Sequence, residues 1–207
     1  LAVFDAGGKR LSDDELMTEF DVRGLWYNPA KKTIQMNGYD NKGWAEYHLN
    51  ARGIPDDIKS LFSGQQQPDP QSVGAFNPAR QVIYFLDDEG NLAVYQLSDA
   101  TMTTTIELAL GRTKKDDAET DAALGGNDDV LDDYNHAVVF TGIPGAEIAL
   151  RNITENRIEF YNLKDGHLVK TLGLPDDAPQ EQALNFAYCN NTWWLFDTEQ
   201  RAWIGYR

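Results

Sequence analysis

The chain contains little cysteine, little histidine and no long apolar run. Its 207 residues include one cysteine, Cys189, so no disulfide can form within the chain and packing alone must hold the fold together. The three histidines, His48, His136 and His167, are far apart, which excludes a zinc motif of closely spaced histidines. No apolar run in the sequence reaches the roughly 20 residues that a membrane-spanning helix needs.

Positive charge is also scarce. The chain has 18 lysines and arginines against 33 aspartates and glutamates, which gives a formal net charge of −15. A nucleic-acid-binding protein needs a basic surface for phosphates, so nucleic acid is not an expected partner. The acidity indicates solubility, or attraction of cations or of a basic partner. With 42% hydrophobic and 11% aromatic residues, residues 1–207 can form a single globular domain.

Motifs of familiar enzymes are missing as well. Gly7-Gly8 and Gly125-Gly126 lack the strand-to-helix context of a phosphate-binding loop. No serine lies in a Gly-x-Ser-x-Gly elbow. Catalysis by Cys189 would require a base and an orienting acid that the sequence does not place beside it, so we interpret it as a buried or half-buried structural thiol. No catalytic residue is predicted.

Repetition is the feature that the chain has in abundance. The turn Asn28-Pro29-Ala30-Lys31 recurs as Asn77-Pro78-Ala79-Arg80 at an offset of 49, and Tyr47 recurs as Tyr95 at an offset of 48. The next step, to Tyr161, grows to 66 because residues 114–133 form an acidic inserted loop. Repeating strand units bury their faces against one another. Copies of the strand motif lie at residues 44–49, 92–97 and 158–163, with partial copies at 1–4 and 202–206.

Each unit has the strand-turn pattern of a propeller blade. Short apolar and β-branched runs are separated by turns rich in Asn, Asp, Gly and Pro, which indicates four antiparallel strands per unit. The blades span about 21–72, 73–133, 134–180, and 181–207 completed by 1–20. Pairing of the two chain ends would leave no open edge. We therefore predict an all-β fold, a β-propeller of four four-stranded antiparallel blades. Five blades, with an upstream part missing, is the alternative.

Two family resemblances support this prediction. Residues 76–78, 82–85 and 90–95 resemble the repeats of the β-propeller group that includes the YVTN and quinoprotein-like families. Residues 173–175, 183–186, 194–197 and 203–207 are similar to a hemopexin-type repeat, which implies a four-bladed propeller of about this length. Neither resemblance implies haem or metal residues here.

Two short helices are predicted between strands. Ser12-Asp13-Asp14-Glu15 fits a capping box ahead of an apolar stretch that ends at Phe20. Residues 55–62 begin with proline and two aspartates, which suit a helix N-terminus, and a glycine follows at Gly64.

One candidate metal site lies in the acidic insert. Eight carboxylates fall within the 18 positions from 116 to 133, and carboxylate oxygens are ligands that calcium prefers. The predicted ligands are Asp128, Asp129, Asp132 and Asp133. The alternative is a solvated loop whose like charges repel, because the spacing differs from that of a calcium-binding loop.

One candidate ligand-binding site is aromatic. Trp193 and Trp194 are neighbours, so on one strand they must point to opposite faces, and at least one ring can lie outside the core. We predict Trp194 and Trp44 as ligand-binding residues that stack on a sugar or hold a peptide. The alternative is that these rings fill the space between blades.

Three functional hypotheses follow. The first is a non-catalytic binding or interaction module with a protein, peptide or glycan ligand. The second is a calcium-dependent hydrolase or lactonase-like propeller, for which Asn28, Asn77 and Asn185 are the nearest ligands by position, although the first two look structural. The third is a fragment of a larger propeller. The start at Leu1 rather than methionine predicts an extracytoplasmic protein, either periplasmic or secreted.

Overall fold

The chain folds as an all-β protein. A computed structural model describes residues 3–5, 7–12, 21–39, 43–119, 128–181 and 186–207. The strands of these residues form four antiparallel sheets, which confirms the predicted β-propeller with four blades. No helix in these ranges is long and apolar enough to cross a membrane.

The strands of each sheet are consecutive in the chain, and the sheets are numbered in chain order. Sheet 1 is β1 (Val22–Asn28), β2 (Thr33–Gly38), β3 (Trp44–Leu49) and β4 (Pro55–Phe62); sheet 2 is β5 (Ala75–Asn77), β6 (Val82–Leu86), β7 (Leu92–Gln96) and β8 (Met102–Ile106). Sheet 3 is β9 (Val139–Phe140), β10 (Ile148–Asn152), β11 (Arg157–Tyr161) and β12 (Leu168–Gly173); sheet 4 is β13 (Phe186–Cys189), β14 (Thr192–Asp197) and β15 (Ala202–Tyr206). Helices α1 (Lys114–Glu119) and α2 (Asp128–Leu131) lie between β8 and β9.

The chain divides into two compact units. The first, Leu1–Gln71, contains sheet 1, and the second, Ser72–Arg207, contains the other three sheets. In the first unit, one face of sheet 1 carries the apolar core of Met36, Ala45 and Tyr47. The side chains alternate between the two faces along each strand, so the opposite face is free to carry other chemistry.

The second unit has two apolar layers. Tyr84 and Val94 of sheet 2 pack with Leu150 and Tyr161 of sheet 3 in the first layer. In the second layer, Phe160 of sheet 3 packs with Trp193 and Leu195 of sheet 4. The short first strands lie together, since β9 is next to both β5 and β13. Sheet 3 is therefore covered on both faces.

One turn built on asparagine closes three of the hairpins. The side-chain oxygens of Asn28, Asn77 and Asn152 accept backbone N–H groups two or three residues further on. In each turn the residue four positions after the asparagine is in the left-handed region, at φ 55° for Lys32, 53° for Gln81 and 48° for Asn156. The hydrogen bonds to the asparagine side chain stabilise the turn that contains this less favourable conformation. The structural interpretation of Asn28 and Asn77 is thus confirmed, whereas Asn185 lies outside the described residues.

The helix predicted over residues 55–62 is wrong, because these residues form the outer strand β4. They pair with β3 from Leu49 opposite Pro55 to Trp44 opposite Phe62. Four of its eight residues are exposed and only Pro55 is buried, so its sequence is polar and looks like the surface of a short helix. Eight residues form only a marginal helix in water, and pairing with β3 outweighs that local preference.

The acidic insert is partly helical. Helices α1 and α2 lie near its two ends, and Val130 and Leu131 pack against the first apolar layer. The Asp116 carboxylate reaches back to Thr113, the residue before α1, and accepts its N–H at 2.6 Å and its hydroxyl at 2.8 Å, as the third helical residue does in a capping box. The helix predicted from the capping box at Ser12 falls on residues 13–20, which lie outside the described part.

Sheet 4 has three strands among the described residues. The N-terminal segment makes a local bridge of its own between Phe4 and Arg10. Its predicted role as the outer strand of the closing blade stays a prediction, since Leu1 and Ala2 are not described. The interpretation of Cys189 as a buried or half-buried thiol is wrong, because Cys189 ends β13 at a tight turn and is exposed.

Candidate functional site

The four aspartates predicted to bind calcium are spread over α2 and the turn after it. Asp128 and Asp129 begin α2, and their side chains are outside the described set. Asp133 accepts a hydrogen bond from the Thr154 hydroxyl at 2.5 Å, and its carbonyl oxygen accepts the N–H of Ile153 at 2.6 Å. Among the described residues, no three histidine, cysteine or acidic side chains gather as a metal-binding group. Calcium binding here stays a prediction.

Trp44 lies in the interior of the first unit. Its ring is 1% exposed and makes edge-to-face contacts with Trp26 at 6.1 Å and Phe62 at 5.8 Å. Its indole N–H donates to Gln67 Oε1 at 3.1 Å. The sequence allowed either packing or ligand binding for the Trp44 ring, and the ring packs. Because it is buried, it offers no face to a ligand.

Trp193 and Trp194 lie on opposite faces of β14, as their adjacency predicts. Trp193 belongs to the core, where its ring contacts Phe160 at 5.5 Å, Phe186 at 5.4 Å and Tyr188 at 4.4 Å. Trp194 is only partly buried. Its indole nitrogen is nonetheless covered and has no hydrogen-bond partner in the described part of the chain. A buried N–H without an acceptor costs about 1–3 kcal/mol, so this group calls for an explanation.

Trp194 belongs to an aromatic face on sheet 4, which we define as Trp194, Phe196 and Trp203. Phe196 pairs with Trp203 across β14 and β15, and their ring centroids are 5.4 Å apart. Trp203 is 49% exposed. Trp194 pairs with Gly205, where an added Cβ would lie 3.1 Å from the Trp194 ring. The glycine therefore lets the Trp194 ring lie flat against β15.

A buried carboxylate cluster lies in sheet 3 and was not predicted. Glu159 is fully buried, and Tyr134 donates to its Oε2 at 2.7 Å, as does Tyr161 through a short hydrogen bond. Its Oε1 accepts from Asn152 Nδ2 at 3.3 Å and from Arg157 Nε at 2.7 Å. The carboxylate therefore has its full set of partners inside the protein, as a buried charge requires.

Burial is the main cause of the electrostatic changes in this cluster. It raises the pKa of Tyr134 and Tyr161, and the neighbouring Glu159 charge raises both further. Both phenols therefore stay protonated and serve as hydrogen-bond donors. Arg157 is 29% exposed and places its Nη2 2.6 Å from Glu159 Oε1, which connects the buried charge to the surface.

Arg151 is a second buried charge in sheet 3. Its guanidinium donates to the carbonyl oxygens of Asn152 and Arg157 and to Asn156 Oδ1, so it fastens the turn between β10 and β11. Burial lowers the pKa of Arg151 to about 10, although Tyr206 acts to raise it. These contacts indicate a structural role.

A polar row crosses sheet 1 on the face opposite its apolar core. Gln35 Oε1 accepts from Trp26 Nε1 at 3.1 Å and from Asn28 Nδ2 at 3.2 Å. Gln35 Nε2 donates to Glu46 at 2.9 Å, and His48 Nε2 lies 3.2 Å from the other Glu46 oxygen. His48 is exposed, so the row runs from the surface to the interior.

The Glu159 cluster and the polar row of sheet 1 were not predicted, although one signal in the sequence marks both. Gln35 and Glu159 occupy the same position, seven residues after Asn28 and Asn152, and each accepts the asparagine amide. Tyr84 takes that position after Asn77 at 3.2 Å. The repeated asparagine turn was the available signal, because a polar residue at a fixed distance from it sits on the same face of the next strand.

Comparison with known proteins gives no family assignment. No protein-family model matches the chain, and no curated protein matches it. Among solved structures, the chain is similar to U3-55K, with 8% identity and a TM-score of 0.41, over 92% of this chain and 53% of that one. It is also similar to the computationally designed Ika4 protein, with 9% identity and a TM-score of 0.41, over 93% and 94% of the two chains.

Proposed function

We propose that this β-propeller is a non-catalytic binding module whose ligand contacts the aromatic face of sheet 4. The observation that carries the proposal is the pair of Phe196 and the half-exposed Trp203 beside Trp194. An exposed tryptophan offers a large, rigid contact surface that loses little conformational entropy on binding.

The polar clusters support binding rather than chemistry at the described sites. The Glu159 carboxylate is buried and accepts hydrogen bonds from four side chains, and Glu46 is held by Gln35 and His48. A general base must reach the proton that it abstracts, and these carboxylates are already engaged within the fold. The exposed aromatic rings are therefore the better candidates for contact with another molecule.

Glycan and peptide arrays test this proposal. The wild-type protein is expected to give specific hits that Trp203→Ala and Trp194→Ala weaken about tenfold or more, in line with the loss of an aromatic anchor. Tyr27→Ala is the matched control, because Tyr27 is 51% exposed but lies on sheet 1. Hits that survive both tryptophan substitutions, or arrays without any specific hit, would contradict the proposal.

A further inference from the structure

Two positions in the sequence carry the motif that accepts an N-linked glycan. The motif is asparagine, then any residue except proline, then serine or threonine. It occurs as Asn152-Ile153-Thr154 and as Asn190-Asn191-Thr192, and at no other asparagine of the sequence. The motif alone gives no reason to prefer either position. The fold separates them, because a glycan is a bulky polar group that must remain in solvent after the chain has folded.

Asn152 has no room for a glycan. The residue is 4% exposed. Its Oδ1 accepts the backbone N–H of Glu155 at 2.8 Å, and its Nδ2 donates to Glu159 Oε1 at 3.3 Å. A sugar on this Nδ2 would have to enter the buried carboxylate cluster of sheet 3 and would bring unpaired hydroxyl groups with it. A chain modified at Asn152 therefore cannot form this fold.

Asn190 lies at the tip of the hairpin between β13 and β14. Cys189 pairs with Thr192, so Asn190 and Asn191 form a two-residue turn, and their φ angles of 52° and 56° are those of a type I′ turn. Asn190 is exposed, and no hydrogen bond holds its side chain within the described part of the chain. A glycan on its amide nitrogen can extend into solvent without displacing a contact of the fold.

Thr192 determines when the glycan must be added. Its hydroxyl is the third element of the motif, and the residue is buried in the folded hairpin. The hydroxyl donates to the Asn190 carbonyl oxygen at 3.3 Å and accepts from Arg207 Nε at 3.1 Å. Because the motif requires this hydroxyl, the transferring enzyme must reach it before β13 pairs with β14. The fold then decides which modified chain can complete its packing.

We propose that Asn190 carries an N-linked glycan in the folded protein and that Asn152 does not. The donor is an oligosaccharide that is joined to a lipid through a diphosphate. Asn190 Nδ2 attacks the anomeric carbon of the sugar, and the bond from that carbon to the diphosphate oxygen breaks. The lipid diphosphate leaves with the electron pair, and the amide loses one proton to a basic group of the transferring enzyme. The modification requires an exported chain, which is the location predicted from the sequence.

The attachment point is separate from the aromatic face. The Asn190 turn adjoins one end of β14, whereas the contact of Phe196 with Trp203 lies near the other end. The extended strand from Thr192 to Phe196 spans about 13 Å. The inference therefore goes beyond the proposed function and does not depend on it.

Secretion of the full chain from cultured animal cells, behind a removable export signal, tests the inference. Intact mass spectrometry before and after treatment with peptide N-glycosidase F should show one glycan on the secreted protein. This enzyme converts the asparagine that carried the glycan to aspartate. Peptide mapping should therefore find aspartate at position 190 and unchanged asparagine at position 152.

Two substitutions in the same turn form a matched pair. Asn190→Gln removes the acceptor and should abolish the glycan, whereas Asn191→Gln keeps the motif and should retain it. Both replace a turn asparagine with a left-handed φ, so an effect of the turn on folding or secretion would act on both variants. The inference is overturned by a glycan that persists in Asn190→Gln, by secreted wild-type protein without a glycan, or by aspartate at position 152 after the enzyme treatment.

Thr154→Ala covers the case in which modification at Asn152 keeps the chain inside the cell. This substitution removes the Asn152 motif and leaves the Asn190 motif unchanged. If wild-type chains are retained, Thr154→Ala should release them, and the released protein should carry its glycan at Asn190. Thr154→Ala protein that is secreted without a glycan would overturn the inference.

Discussion

The buried Glu159 should be one of the most sensitive positions in the second unit. Replacing it by alanine leaves the hydroxyls of Tyr134 and Tyr161 and the amide of Asn152 without their acceptor, and removes the counter-charge of Arg157. Breaking a fully buried pair costs about 3–5 kcal/mol. Because Arg157 is 29% exposed, water partly solvates it after the change, which places Glu159→Ala at about 3 kcal/mol.

Two companion variants separate charge from shape. Glu159→Gln keeps the size of the side chain and one acceptor oxygen but loses the charge opposite Arg157, so we expect about 1–2 kcal/mol. Glu155→Gln is the matched control on the same hairpin. Glu155 is 58% exposed and lies 3.6 Å from Arg157, so its loss should change stability by less than about 0.5 kcal/mol.

Equilibrium urea denaturation measures these differences. With a slope of about 2 kcal/mol per molar urea, a loss of 3 kcal/mol lowers the midpoint by about 1.5 M. The expected order of midpoints is wild type and Glu155→Gln together, then Glu159→Gln, then Glu159→Ala, with the slope unchanged. A midpoint for Glu159→Ala within about 0.3 M of that for Glu155→Gln would show that the cluster contributes no net stability, and would refute the reasoning.

Further predictions concern backbone, pH and metal. Gly166→Ala should lower the melting temperature clearly more than Gly53→Ala. Both glycines have a left-handed φ near 70°, but only at Gly166 would a Cβ lie 1.9 Å from a carbonyl oxygen. Equal losses of melting temperature would contradict the predicted clash. Burial acts to raise the pKa of Glu147, but backbone hydrogen bonds outweigh it and lower the pKa below 4.5. The stability that the Glu147 carboxylate contributes is therefore complete above pH 4.5 and is lost as the pH falls through its lowered pKa. Glu147→Gln should flatten the acid limb of the plot of unfolding free energy against pH. An unchanged acid limb would contradict this prediction. Calcium should raise the melting temperature, and the Asp132→Asn, Asp133→Asn double variant should abolish the rise; a melt that calcium leaves unchanged would remove the calcium prediction.

Much of the strand pattern could be read from the sequence. Runs such as Val82–Leu86 and Ala202–Tyr206 are apolar or β-branched and are bounded by turn residues, so they appear as predicted. Outer strands were harder to recognise. Residues 55–62 pair through backbone groups and only one of the eight is buried, so nothing in their hydrophobic pattern distinguishes a strand from a short helix.

The candidate site was predictable only in part. The adjacency of Trp193 and Trp194 was enough to place them on opposite faces, because strand alternation is local. The Phe196 and Trp203 contact depends on the register of β14 with β15, and the burial of Trp44 depends on Trp26 and Phe62. The two Trp44 contacts join residues 18 positions apart, and the Phe196 contact crosses a hairpin. They are set by tertiary packing, which no local pattern records.

The asparagine hairpin has a consequence for engineering. Its turn stays the same while the residue seven positions later is an amide in Gln35, a phenol in Tyr84 and a carboxylate in Glu159. The asparagine amide needs only an acceptor oxygen there, and each of these groups provides one. The same turn therefore accompanies three different side-chain chemistries at this position, and each is matched to its own neighbours, so an engineered exchange between blades must move the surrounding partners with it.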